Sequence, residues 1–336
     1  MQLETFRDTV GNELTAFAWE QWSQLGVFAP SHRSDRVAAD PEALLVFTLE
    51  IGRRDPRLLD EVLDWLLTNE RLISVQRLRN LATDSDDRQL VEAAIGWVAR
   101  WQPKGRFAPR TTEAGNDEPT PLFRTLSRDV RTPDPAYLAA GLLKPDTDPS
   151  HKSQAPDTTR PINFAFRLRL LFGVSSRAEV IRYLITNPAP DPSAQMIADA
   201  AGFAKRNINE TLTALTATNL VTAFELGNEH RYSLNRVLWG QLFGFKQNSW
   251  PTYRDWPRLL QALRRLSRWL DDPRLDELSP YLLASEARTL MEELEPAFAA
   301  TDVPRPTAFA LPGEQYWQSF TERVREITGS LNTWFG

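Results

Sequence analysis

The sequence predicts a mainly α-helical protein with one small β element near its middle. Three observations carry the prediction. Apolar residues recur at three- and four-residue spacing through both ends of the 336-residue chain. Strand patterning is short, running from Leu220 to Leu234 across Gly227-Asn228. Prolines open helices or collect in one linker, as in Asp40-Pro41 and Asp55-Pro56, where an N-cap precedes proline at the first helical position.

Taken in order, residues 1–101 read as a helical domain. Trp19, Trp22 and Leu25 form one apolar stripe, Leu44 to Ile51 a second, and Leu58, Leu59, Val62, Leu63 and Leu66 a third. Leu58 to Asn69, Ser74 to Ala82 and Asp86 to Trp101 make three consecutive helices with short links, a candidate degenerate helix-turn-helix. Asp84, Asp86 and Asp87 open the third of them. Carboxylates suit a helix N-terminus but repel phosphate, so this unit reads as structural or protein-contacting.

Residues 102–160 change in composition to proline, threonine, aspartate and serine, as in a linker or arm. Leu122, Phe123 and Leu126, and then Tyr137 to Leu143, are apolar enough to pin it at two points. The stretches Gly115 to Pro119 and Asp146 to Thr159 are expected to be mobile. Pro161 to Phe172 is apolar with Arg167 and Arg169 interleaved. It reads as a helix packing across the central helices, the alternative being that its arginines reach a nucleic-acid backbone.

From Ser176 to Leu234 the pattern is helix, helix, helix, hairpin. Ser176 and Glu179 have the spacing of a capping box, Val180, Ile181 and Leu184 supply an apolar face, and Asn187-Pro188 ends the helix. Ser193 caps a second helix carrying Met196, Ile197 and Ala201. Gly202 turns the chain with a positive φ. A third helix sets Ile208, Leu212 and Leu215 against Arg206, Asn209, Glu210 and Thr213, and ends at Asn219 in a left-handed position.

The segment IADAAGFAKRNINETLTALTATNLV resembles the second and third helices of the winged helix-turn-helix domains of bacterial regulators of the MarR and ArsR type, and the winged unit as a whole, residues 176–234, covers about a sixth of the chain. Ala204 stands where that family usually has a Ser or Thr cap, a change worth ~1 kcal/mol at the helix end, and Asn219 stands where it usually has Gly. The resemblance implies a winged domain over residues 161–246, between helical regions at 1–101 and 247–336. It also implies a transcription regulator that binds double-stranded DNA as a homodimer, with the third helix in the major groove. Lys205 and Arg206 are the expected phosphate or guanine contacts. Asn207 and Asn209 suit adenine or phosphate oxygens, and Thr213 suits a backbone oxygen or a thymine methyl. His230 and Arg231 flank the hairpin tip.

Charge distribution agrees. Net charge is −5, yet Arg160 to Lys246 holds ten Lys and Arg against six Asp and Glu, leaving −9 on the remainder. No cysteine is present, which excludes disulfides and thiolate metal sites, and the three histidines, His32, His151 and His230, lie far apart. No phosphate-cradling glycine loop, dinucleotide fingerprint or nucleophile elbow occurs, so no enzymatic activity, cofactor or metal is expected. Asp86-Asp87 and Asp271-Asp272 read as helix caps. The first residues have no basic or apolar leader and no run approaches a bilayer's width, which predicts a cytoplasmic protein without membrane contact.

Beyond the hairpin, Val237 to Phe245, Trp256 to Leu270, Pro280 to Phe298 and Glu314 to Trp334 are helical and rich in Trp and Leu. These aromatics read as core, and the helical patterns at both ends are the candidates for the dimer contact. Two other functions fit the residues. One is a protein-interaction or antitoxin-like scaffold, in which acidic Trp-rich helices hold a protein partner; the other is a sensor with a pocket among the aromatic helices.

Overall fold

A computed structural model describes residues 2–29, 37–109, 118–125, 130–187, 191–244, 250–301 and 311–334. The chain is mainly helical. Its elements in order are α1 (Leu3–Leu25), α2 (Pro41–Ile51), α3 (Pro56–Asn69), α4 (Val75–Leu81), α5 (Ser85–Trp101), β1 (Thr120–Pro121), α6 (Pro135–Ala139) and β2 (Leu142–Leu143). Next come α7 (Phe164–Phe172), α8 (Ser176–Thr186), α9 (Ala194–Ala201), α10 (Lys205–Ala217), β3 (Thr222–Leu226), β4 (Glu229–Ser233), α11 (Arg236–Phe243), α12 (Trp256–Leu270), α13 (Pro280–Ala300) and α14 (Tyr316–Trp334). No helix among the described residues is long and apolar enough to cross a membrane.

Local chemistry sets many of the helix starts. Asp40 accepts the Ala43 N–H and Asp55 accepts those of Arg57 and Leu58, each just ahead of a proline whose missing N–H costs nothing at that position. Ser74, Asp84, Ser193, Asp255 and Ser279 cap α4, α5, α9, α12 and α13 in the same way.

The two ends of the chain share one apolar core. Helices α1 to α5 pack with α12, α13 and α14, and the largest contacts between the ends are α2 against α12 and α1 against α14. Phe6 of α1 meets Trp317 and Phe320 of α14 edge-on at 5.5 and 6.0 Å. Two buried indoles bond across helices: Trp22 donates to Thr48 Oγ1 and Trp65 to the Leu25 carbonyl, both at 2.8 Å. The terminal helices expected to join two copies therefore spend much of their apolar surface on one another.

The proline-rich arm is more firmly held than its composition implies. Thr120–Pro121 pairs in parallel with Leu142–Leu143, and Asp134 caps α6. The Asp146 to Thr159 stretch, expected to be mobile, is tied along the helical body. Arg100 grips Asp146 at 2.6 and 2.9 Å, and Asp64 accepts the N–H groups of His151 and Ser153. The Gln154 N–H donates to the Gly26 carbonyl, and the Asn69 side-chain amide donates to the Gln154 carbonyl. Partners on α1, α3 and α5, remote in sequence, supply order that composition does not reveal. Leu126 and residues 115–117 lie outside the described residues.

A second core joins α7 to α11, built on Phe164, Leu168, Ile181, Ile197, Ile208, Leu212, Trp239 and Phe243. Between the two cores sits a fully buried group of six charges. Arg77 donates to Asp40 at 2.5 Å and Glu42 at 2.9 Å. Arg169 grips Glu42 at 2.7 Å and Glu179 at 2.6 Å, while Arg182 donates to Glu179 at 2.8 Å and Asp40 at 3.1 Å. Three guanidiniums face three carboxylates, so the group is neutral, which is what allows its burial. Burial opposes ionisation of Asp40, but Arg77 and Arg182 outweigh it and hold this carboxyl well below the usual range.

That group also corrects the reading of the first central helix. Glu179 turns inward to Arg169 and Arg182 instead of closing a capping box, and Ser176 Oγ bonds Thr211 Oγ1 at 2.7 Å. Of the two arginines in α7, Arg169 is buried here and Arg167 lies over the Phe243 ring at 5.2 Å. The α5 N-terminus is likewise occupied, with Asp87 accepting from Arg264 and Arg268 of α12.

Candidate nucleic-acid interface

Helices α8, α9 and α10 close around Ile181, Ile185, Ile197, Ala201, Ile208, Leu212 and Leu215, all buried. Met196, expected on this apolar face, is instead exposed near the hairpin, with Arg231 beside its sulfur. Helix α9 ends at Gly202, whose φ of +67° is left-handed. This corner rests against α4. A Cβ at Gly202 would lie 3.3 Å from Leu81 Cδ2 and 3.4 Å from Arg77 Nε. Arg77 donates to the Ala201 carbonyl at 2.6 Å and Asn80 to the Gly202 carbonyl at 3.0 Å. The carbonyls left over at the end of α9 are thus satisfied from the N-terminal helices, and the direction in which α10 leaves is fixed by residues outside its own unit.

The other side of α10 faces solvent. Lys205, Arg206, Asn209, Glu210 and Thr213 are exposed, and Asn207 is half-buried. Ala204 makes no side-chain cap, so the first N–H groups of α10 lack a side-chain partner from that residue. With the exposed Lys205 and Arg206 beside them, these N–H groups make the start of α10 attractive to anions. Arg206 Nε holds Glu210 at 3.0 Å one turn on, and Thr213 Oγ1 donates back to the Asn209 carbonyl. An exposed i,i+4 pair is worth only about 0.3–0.5 kcal/mol, so Glu210 is easily exchanged for a stronger anion.

Strands β3 and β4 pair antiparallel with Leu226 opposite Glu229, across a two-residue turn in which Gly227 takes a φ of +64°. The hairpin is fastened at its base, where the Tyr232 N–H donates to the Pro192 carbonyl at 3.1 Å and Arg231 bridges to Ser193. β3 is exposed along its whole length, so the hairpin projects from the body. His230 is exposed on it. Arg231 turns back, donating to the Asp191 carbonyl at 3.3 Å and pairing with Glu229 at 2.9 Å. With Glu225 opposite His230, and Glu229 paired with Arg231, the hairpin carries two carboxylates against one guanidinium.

Lys205, Arg206, Asn209 and Thr213 thus share one exposed helix side, His230 stands apart on the hairpin, and Arg231 is engaged at its base. Arg77 and Asn80, which set the angle of the corner, carry no sequence signal for that role, since they lie more than a hundred residues from the carbonyls they bind. No protein-family model, curated protein or solved structure matches the chain.

Proposed function

We propose that the chain is a sequence-reading regulator that binds double-stranded DNA, with α8, α9, α10 and the β3–β4 hairpin acting as a winged helix-turn-helix. The observation that carries this reading is the division of α10. Its apolar row, Ile208, Leu212 and Leu215, is at most 4 % exposed, while its opposite row of cations, amide and hydroxyl faces solvent. In the groove, Lys205 and Arg206 take phosphates or a guanine edge, Asn209 an adenine edge, and Thr213 a backbone oxygen or thymine methyl. Asn207, half-buried, supports the helix start from its flank. His230 is the hairpin's contact to the sugar-phosphate chain, and Arg231 acts by holding the hairpin to the base of α9. The acidic helical body supplies the frame and stays off the duplex.

The test is binding of duplex fragments from upstream of the chain's own gene at two salt concentrations. Affinity should fall steeply between 50 and 200 mM salt, and Lys205→Ala with Arg206→Ala should lower the salt slope by about two per bound protomer. Glu210→Ala should do the opposite of a merely structural change, tightening binding roughly three- to tenfold by freeing Arg206 and removing a charge that repels the duplex. Binding that ignores salt, or that is unchanged in all three variants, would overturn the reading.

A further inference from the structure

Among the described residues, exposed large apolar side chains concentrate on one part of the molecule. Leu170, Leu171, Val237, Leu238 and Leu242 are 56–65 % exposed, and Leu220 beside them 43 %. The first five belong to α7 and α11, whose inner aromatic rings meet: Phe164 lies 5.3 Å from Phe243 and Phe172 6.0 Å from Trp239. Leu220 adjoins the pair, its carbonyl accepting from Trp239 Nε1 at 3.4 Å.

Helix α11 is apolar on both sides. Trp239 and Phe243 point into the core, while Val237, Leu238 and Leu242 point out. A helix apolar all round belongs between two packing partners, and this chain supplies one. Neither helix contains an acidic residue. Their arginines are turned away from the outer face: Arg169 into the buried ionic group, Arg167 over Phe243, and Arg236 onto the Asn187 carbonyl.

We infer that this face joins two copies of the chain, α7 and α11 of one protomer against α7 and α11 of its partner across a two-fold axis. A charge-free aliphatic face is complementary to itself, which is what an isologous contact requires. Six side chains at these exposures offer roughly 600 Å² of apolar surface, and with their polar rim they approach the ~800 Å² that each partner brings to a stable pair. The terminal helices pack largely on one another, and among the described residues six of the nine exposed leucine and valine side chains lie on this face. The inference rests on the DNA-reading proposal for its use, since a two-fold pair carries two α10 helices for a palindromic site.

The test is the mass of the full chain without DNA, by sedimentation or light scattering from about 1 to 100 μM. The expected particle is twice 38.3 kDa. Leu238→Arg with Leu242→Arg should give a particle of 38.3 kDa with unchanged helical circular dichroism, while Tyr281→Arg with Leu282→Arg, exposed on α13, should remain paired. Because the chain has no cysteine, a milder variant locates the contact: Gln241→Cys, on the exposed side of α11, should cross-link under copper-phenanthroline oxidation and Tyr281→Cys should not. A wild-type monomer at ~100 μM, or a pair that survives the two arginines, overturns the inference. These masses are read without DNA, so failure here is distinct from failure of salt-dependent binding.

Discussion

Arg77→Met is the perturbation that probes how the α9–α10 corner is held. Arg77 is fully buried and serves Asp40, Glu42 and the Ala201 carbonyl at once. Its removal leaves two guanidiniums facing three carboxylates in a closed site. Breaking a buried ion pair from one side costs about 3–5 kcal/mol, and an orphaned carbonyl adds on the order of 1–3 kcal/mol before relaxation. We expect a net loss of about 4 kcal/mol, which for a chain of this size lowers the melting temperature by roughly 6 °C. Thermal unfolding followed by tryptophan fluorescence measures the total, and hydrogen exchange of the amides from Gly202 to Asn207 measures the corner itself. Adding Asp40→Asn restores the charge balance while keeping a good helix cap, and should recover about half of the loss. A loss below ~1 kcal/mol from Arg77→Met, or an Asp40→Asn change that deepens it, would refute the account of a sealed, neutral group.

Two further outcomes are expected of the same structure. Glu179 is lowered from 4.5 to about 2, with burial opposing and the Arg182 and Arg169 guanidiniums prevailing, and Asp40 is depressed as well. Depressed carboxylates contribute stability above their unfolded values and lose it as they protonate. The melting temperature should therefore fall as pH drops from 4.5 towards 2. Burial raises Asp87 and Asp255, whose opposite contribution is complete once pH falls below their ordinary 3.8, so a flat profile from there towards 2 would show the ionic group to be weaker than its geometry. At the start of α10, Ala204 has φ −59° and ψ 138°, backbone a capping residue can use, yet offers no acceptor. Ala204→Ser should stabilise the helix by about 1 kcal/mol, seen as a small rise in melting temperature; no rise would mean these N–H groups are already satisfied.

Features that depend on neighbours a few residues away were legible in the amino-acid order alone. Asp40-Pro41, Asp55-Pro56 and Ser193 start helices because cap and first turn are contiguous. Gly202 and Asn219 take positive φ because few other residues tolerate it, and Ile208, Leu212 and Leu215 line one side because the helical period puts them there. Long charged side chains were another matter. Glu179 had the spacing of a cap and became a buried counter-ion, since its arginine on α7 arrives only when the helices pack. Arg77 and Ala201 are 124 residues apart, and Arg169 and Glu42 are 127. The fastening of the Asp146 to Thr159 arm, the union of the two chain ends in one core and the exposed outer face of α11 likewise depend on which surfaces meet. Folding in three dimensions settled them, because an ion pair or a packed face is a property of two segments, and local spacing describes one.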